Sequence, residues 1–128
     1  FIADSPIKKI TANAMSSANN IHDTVSISIA FENGSIASIS YFSNGSKKLA
    51  KEYLEVFCGE QSIIIDDFKT STIYGKSKHK TKLAQQEKGH QQEVAAFIEA
   101  VTQGKPLPIS FEECYESTKA TFEVVEQL

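Results

Sequence analysis

Tyr41 and the segment Ser43-Asn44-Gly45-Ser46-Lys47-Lys48 gather a phenol, hydroxyls, an amide and two ammonium groups at one point of the chain. Such groups can hydrogen-bond a sugar or hold a phosphate. The same composition also makes an ordinary solvated hairpin loop. Lys88-Gly89-His90 is a second spot of this kind. It stands where a helix is expected to begin, and free N–H groups at a helix start favour an anion; a solvated helix end reads the same way. Tyr41, Asn44, Lys47, Lys48, Lys88 and His90 are therefore the candidate substrate-binding residues.

Other chemistries lack their residues. His22, His79 and His90 stand at no metal-ligand spacing from one another or from Cys58 and Cys114, so no metal site is expected. There is no GxSxG elbow. Asp66-Asp67 is a carboxylate pair in sequence only, because adjacent strand residues point to opposite faces. No two glycines are closer than the eleven positions between Gly34 and Gly45. Neither GxGxxG nor GxxxxGK[ST] can be written, and a dinucleotide needs such a turn to bring backbone N–H groups to its pyrophosphate. No catalytic and no cofactor-binding residue is assigned.

Charge narrows the partners. All 13 basic residues are lysines, against 16 acidic ones, for a net charge of −3. Neither nucleic acid nor a membrane is expected: arginine forks are absent and no stretch approaches 18 apolar residues. The balance is uneven, with five lysines and one glutamate in 76–90 and seven glutamates and two lysines in 91–128. Extended, Lys76, Lys78, Lys80 and Lys82 share a face, as an edge strand protected by charge or as an anion site. Two cysteines 56 positions apart read as reduced thiols, which suits a cytoplasmic setting.

The elements that must position these residues are strands first, helices last. Val25, Ile27, Ile29 and Phe31 alternate with small residues, and Asn33-Gly34 signals a hairpin to a strand over 36–42. A two-residue loop pairs Phe31 with Ile36, Ile29 with Ser38 and Val25 with Phe42, and on the other face Ser28 with Ile39 and Ser26 with Tyr41. Both faces then mix apolar and small residues. Further strands are expected over 7–15, 53–58, 63–66 and 68–74. Val94, Phe97, Ile98 and Val101 mark a helix that Gly104 stops. Ser110-x-x-Glu113 caps a second helix, whose stripe is Phe111, Cys114, Tyr115, Thr118, Phe122 and Val125. The expected fold is α+β, one domain over 1–128, with a large, mostly antiparallel sheet and two C-terminal helices packed on one face. The other face, through Ile39, Tyr41 or their neighbours, is expected to form a homo-oligomer.

Tyr53-Leu-Glu-Val-Phe-Cys-Gly59 and Ser62-Ile-Ile-Ile, followed by Phe97-Ile-Glu-Ala-Val101, Gly104, Pro106 and Pro108-Ile-Ser-Phe-Glu-Glu113, resemble the C-terminal domain of the Gfo/Idh/MocA oxidoreductases. Phe31-Glu-Asn-Gly34, Tyr41-Phe-Ser-Asn-Gly45 and Lys88-Gly-His90 resemble a branch that can follow a zinc-type alcohol dehydrogenase module. The resemblance implies a larger enzyme using NAD or NADP on a sugar, cyclitol or nucleotide sugar. This chain, which starts at Phe1, would be its substrate and oligomerisation domain, partnered by its own N-terminal Rossmann domain. It also implies that the family's acid/base residues precede Phe1. Glu87-Lys88-Gly89 lacks the proline of the family's Glu-Lys-Pro element, so no catalytic residue is carried over. The fragment alone is expected to be inactive. The alternative is a stand-alone, non-catalytic binding or dimerisation module.

Overall fold

The computed structural model describes residues 2–16 and 21–128. Seven strands precede two helices: β1 Ile7–Ala14, β2 Thr24–Phe31, β3 Ile36–Phe42, β4 Tyr53–Cys58, β5 Gln61–Asp66, β6 Thr70–Tyr74, β7 Lys78–Lys82, α1 His90–Gln103 and α2 Phe111–Val125. The class is α+β and every strand pair is antiparallel. The strands form two sheets, β1-β2-β3 and β4-β5-β6-β7. The chain divides into two compact units accordingly, one of residues 1–45 with 106–128 and one of residues 46–105.

In the first unit the β2–β3 register differs from the expected one. Ile29 faces Ala37, Ile27 faces Ile39 and Val25 faces Tyr41. The loop holds three residues, not two: Gly34 donates to the Phe31 carbonyl at 3.1 Å and Phe31 to the Ser35 carbonyl at 2.9 Å. Only Gly34 is left-handed, at φ 86. Asn33 cannot be judged from Asn-Gly alone, because its backbone N–H donates to Ser5 Oγ at 3.1 Å and its side-chain amide to the Ala3 carbonyl at 2.8 Å. Those ties to a distant segment select a turn with a glycine bulge. A one-residue shift moves every side chain of β3 to the opposite face. The sheet therefore has one continuous apolar face and one face of serines flanked by Ile36 and Phe42. Val25, Ile27, Ile29, Ile39 and Tyr41 share one face, and Ser26, Ser28, Ser38 and Ser40 the other.

β1 extends the same pattern. Ile10 and Ala12 lie opposite Ile29 and Ile27, and both are buried. A bulge at Lys8 sets Ile7 opposite Phe31. Without that extra residue Lys8 would take the apolar place. β1 is an edge strand, and α2 packs on it. Gln127 closes the edge: its side-chain oxygen accepts from the Ala12 N–H at 3.0 Å and its amide donates to the Ile10 carbonyl at 3.4 Å. One side-chain amide thus stands in for a residue of a neighbouring strand.

The capping box of α2 forms as the sequence indicates, with Glu113 N–H donating to Ser110 Oγ and Ser110 N–H donating to Glu113 Oε2. The face of α2 turned inward is not the expected one. Ala120, Val124 and Gln127 face the sheet side, at spacings of four and three, while Phe111, Tyr115, Phe122 and Val125 are exposed. Ala120 leaves room for close approach to β1, and the aromatic stripe is left exposed.

The second unit is a meander of four strands. Gly59 and Glu60, at φ 53 and 60, make the tight β4–β5 turn. Asp67 and Phe68 are left-handed as well, at φ 51 and 49. The sequence places Phe68 in a strand; here it is in the β5–β6 turn, and β6 begins at Thr70. β7 is the edge strand that the lysine pattern allows. α1 ends at Gly104, φ 63, whose N–H bonds the Ala100 carbonyl. Its stripe of Val94, Phe97, Ile98 and Val101 is exposed.

Candidate functional site

In the first unit, the two-sided sheet and α2 enclose an open cleft of about 1190 Å³. Ile10, Val25, Ile27, Ile29 and Ile39 line its sheet side, and Ala120, Val124 and Leu128 its helix side. Its walls are largely apolar, with His22, Glu112, Glu113 and Glu116 among the polar lining residues. Apolar walls suit a packed element and not a polyhydroxylated ligand, whose hydroxyls would lose their water without replacement. Tyr41 borders this cleft from β3 and is exposed. Asn44 follows in the next turn, where its amide reaches Met15 Sδ at 3.5 Å. Tyr41 and Asn44 are thus near neighbours in sequence, one on the strand and one just past it.

In the second unit Lys47 and Lys48 occupy an exposed turn closed by the Leu49 N–H to the Ser46 carbonyl at 3.0 Å. Neither lysine has a carboxylate partner among the described residues. Lys88 is differently placed. Its ammonium pairs with Glu52 Oε1 and lies 6.0 Å above the Phe68 ring. Gln86 donates to Asp67 Oδ1 at 2.8 Å and to Glu52 Oε2 at 3.4 Å. The Glu87 N–H bonds the Phe68 carbonyl at 3.1 Å, and the Leu83 N–H bonds the Lys69 carbonyl at 2.8 Å. Lys69 pairs with Asp67 at 2.8 Å, and that carboxylate raises the lysine above its ordinary range, through the hydrogen bond first and its charge second.

These contacts form a latch. Segment 83–89, which leads into α1, is fastened to the strained β5–β6 turn and to Glu52 before β4. The N-terminus of α1 is already served: the Gly89 N–H donates to Glu87 Oε1 at 2.8 Å. Both the ammonium of Lys88 and that N–H therefore have anionic partners within the unit. His90, next along, opens α1 and is exposed. The sequence names Lys88 but not Glu52, Gln86, Asp67 or Phe68. Their convergence depends on a turn with two non-glycine residues at positive φ, for which the sequence has no local sign.

Among the described residues no group of His, Cys, Asp and Glu could hold a metal ion, and no helix is long and apolar enough to cross a membrane. Both cysteines are free and exposed.

No family model and no curated protein matches the sequence. Solved structures do. UDP-N-acetylglucosamine 3-dehydrogenase GnnA from Acidithiobacillus ferrooxidans superposes in two crystal forms, with TM-scores of 0.82 and 0.81 at 16% identity. The match covers 97% of this chain, and the chain spans 40% and 41% of the length of those two structures. At that identity the likeness establishes a shared fold, and it runs through this chain nearly from end to end.

Proposed function

We propose that this chain is the C-terminal domain of an NAD(P)-dependent oxidoreductase of the Gfo/Idh/MocA type, acting on a sugar, cyclitol or nucleotide sugar. The observation that carries the reading is the fold match: almost the whole chain corresponds to two-fifths of a nucleotide-sugar dehydrogenase. The ordered motifs from Tyr53 to Glu113 support it from the sequence side. In this reading the cofactor, NAD or NADP, belongs to an N-terminal Rossmann domain, which is the domain's first partner, and the protein works in the cytoplasm. A fused alcohol dehydrogenase module is not part of the proposal.

The chemistry left to this domain is substrate holding. Tyr41 and Asn44 in the first unit, and Lys47, Lys48 and His90 in the second, offer hydroxyl, amide, ammonium and imidazole groups. Either set would hydrogen-bond a polar substrate across a cleft from the hydride acceptor. Lys88 joins them only by exchanging Glu52 for substrate. The test is the intact parent enzyme incubated with NAD+ or NADP+ and UDP-N-acetylglucosamine, inositols and free hexoses, followed at 340 nm. Reduction with one of these supports the reading. A parent without a dinucleotide-binding turn, or one that reduces neither cofactor with any polyol, overturns it. In an active parent, Lys47→Ala with Lys48→Ala should raise KM severalfold and leave kcat nearly unchanged, because contacts remote from the reacting carbon are lost.

A further inference from the structure

The tripeptide Asn-Gly-Ser occurs twice in this chain, as Asn33-Gly34-Ser35 and as Asn44-Gly45-Ser46. All of these residues but one are exposed or in turns, so sequence and access do not separate the two copies. Hydrogen bonding does. At the first copy every relevant group is held. The Asn33 side-chain nitrogen donates to the Ala3 carbonyl at 2.8 Å, and its oxygen accepts from the Ser35 N–H at 2.9 Å. The Gly34 N–H donates to the Phe31 carbonyl at 3.1 Å. Gly34 is also required by the turn, at φ 86.

At the second copy almost nothing is held. The turn is anchored on either side, by the Ser43 N–H on the Asp23 carbonyl at 3.2 Å and by the Leu49 N–H on the Ser46 carbonyl at 3.0 Å. Between those anchors the Gly45 N–H donates to no protein group among the described residues. The Asn44 side chain makes one contact, from its nitrogen to Met15 Sδ at 3.5 Å. A thioether is a weak acceptor. The fold gives Gly45 no reason to be glycine either. Its φ is not left-handed, and a Cβ there would meet only the Phe42 carbonyl, at an ordinary 3.8 Å.

We infer that Asn44-Gly45 is a site of spontaneous deamidation and that Asn33-Gly34 is protected from it. The Gly45 backbone nitrogen gives its proton to a base in the solvent and attacks Asn44 Cγ. A bond forms from that nitrogen to Cγ. The Cγ–Nδ2 bond breaks, and Nδ2 takes up a proton from solvent and leaves as ammonia. The product is a five-membered succinimide. Water opens it at one carbonyl or the other, giving an aspartate at position 44 or an isoaspartate, whose main chain runs through Cβ and Cγ. Nothing is oxidised or reduced. The free Gly45 N–H can reach the attacking geometry without losing a bond, and glycine has no Cβ to obstruct the ring closure. Asn33-Gly34 must first break three hydrogen bonds. The conversion adds one negative charge to a net −3, three positions before Lys47. This inference does not depend on the proposed enzymatic activity.

The test is incubation of the 128-residue chain at pH 8 and 37 °C in water enriched in heavy oxygen, with circular dichroism as the check on folding. Peptide mass spectrometry then counts the heavy oxygen that hydrolysis leaves at positions 33 and 44. Methyl transfer from S-adenosylmethionine by an isoaspartate methyltransferase counts the rearranged product. In the folded chain position 44 should convert at least tenfold faster than position 33, whose three hydrogen bonds must open first. In guanidinium, where neither copy is held, the two rates should become alike. Gly45→Ala should keep the wild-type ellipticity, slow conversion at position 44 at least tenfold and leave position 33 as it was. Conversion at position 44 no faster than at position 33 in the folded chain overturns the inference. So does a difference that persists in guanidinium, or a folded Gly45→Ala chain that converts at the wild-type rate.

Discussion

Glu60 is an L-residue doing a glycine's work. The β4–β5 turn needs positive φ at both central positions, and Gly59 meets that need without a steric cost while Glu60 sits at φ 60. A left-handed L-residue costs roughly 1–2 kcal/mol. Glu60→Gly should therefore raise stability by about 0.5–1 kcal/mol once glycine's greater freedom in the unfolded chain is counted. A denaturant titration reads this as a higher midpoint at unchanged slope, and a lower midpoint would refute the strain. Glu113 makes a different residue-scale case. Its bonds from the Ser110 N–H and hydroxyl hold the carboxyl below its ordinary value of 4.5. A depressed folded value means that the stabilisation is complete above the ordinary range and is lost as pH falls through the lowered value. The start of α2 should fray in acid for this reason. Ser110→Ala should cost about 1 kcal/mol at neutral pH and flatten the acid limb of the ellipticity curve at 222 nm. An acid limb identical to wild type would show that the capping box does not set it. These residues also show what a sequence reveals. Ser110 and Glu113 announced their bond by type and spacing, whereas Phe68 at φ 49 gave no sign, because what holds it there comes from residues 83–88.

Elements were legible where their signal is local and periodic. The strand over 36–42, the helix stopped by Gly104 and the cap at Ser110 stand where alternation, glycine and capping chemistry put them. Register and facing were not legible, since each depends on a partner far along the chain. Asn33 is tied to Ala3 and Ser5, which lengthens the hairpin loop by one residue and gathers Val25, Ile27, Ile29, Ile39 and Tyr41 on one face, leaving the serines with Ile36 and Phe42 on the other. Exposed apolar side chains consequently remain on both sides: Ile39 and Tyr41 on the face turned to α2, Ile36 and Phe42 on the serine face. α2 itself is fixed by Gln127 at the β1 edge and not by its aromatic stripe. Gln127→Ala should remove two part-buried hydrogen bonds, costing about 1–2 kcal/mol. Hydrogen exchange gives the specific reading: the Ala12 amide should lose protection far more than Thr11, whose N–H belongs to the β1–β2 ladder. Equal loss at both would mean that the whole sheet has loosened and that Gln127 is not an edge clasp.

At the scale of the whole molecule, the six glycines serve turns and helix ends and form no glycine-rich loop. Gly34 and Gly59 each complete a hairpin, and Gly89 and Gly104 bound α1. No two come together in a turn after a strand, and the one glycine at a helix start has its N–H occupied by the Glu87 carboxylate. A pyrophosphate would need several free N–H groups converging at such a point. The cleft beside α2 is no substitute, because its walls are largely apolar where a dinucleotide brings two negative charges. The chain's lysines are dispersed over β1, β7, α2 and surface turns, and Lys88, just before α1, is paired with Glu52. The 128-residue chain should therefore show no saturable heat with NADH or NADPH at millimolar concentration in calorimetry. Breaking the latch sharpens the test. Lys88→Met with Glu87→Ala removes the acceptor of the Gly89 N–H and two charges of opposite sign, so net charge is unchanged. That variant should still bind neither dinucleotide, since one helix end without a glycine-rich turn lacks the geometry to hold both phosphates. Micromolar binding by the wild-type chain would mean that a cofactor site exists in this domain after all, and the division of labour proposed for the parent enzyme would have to be withdrawn.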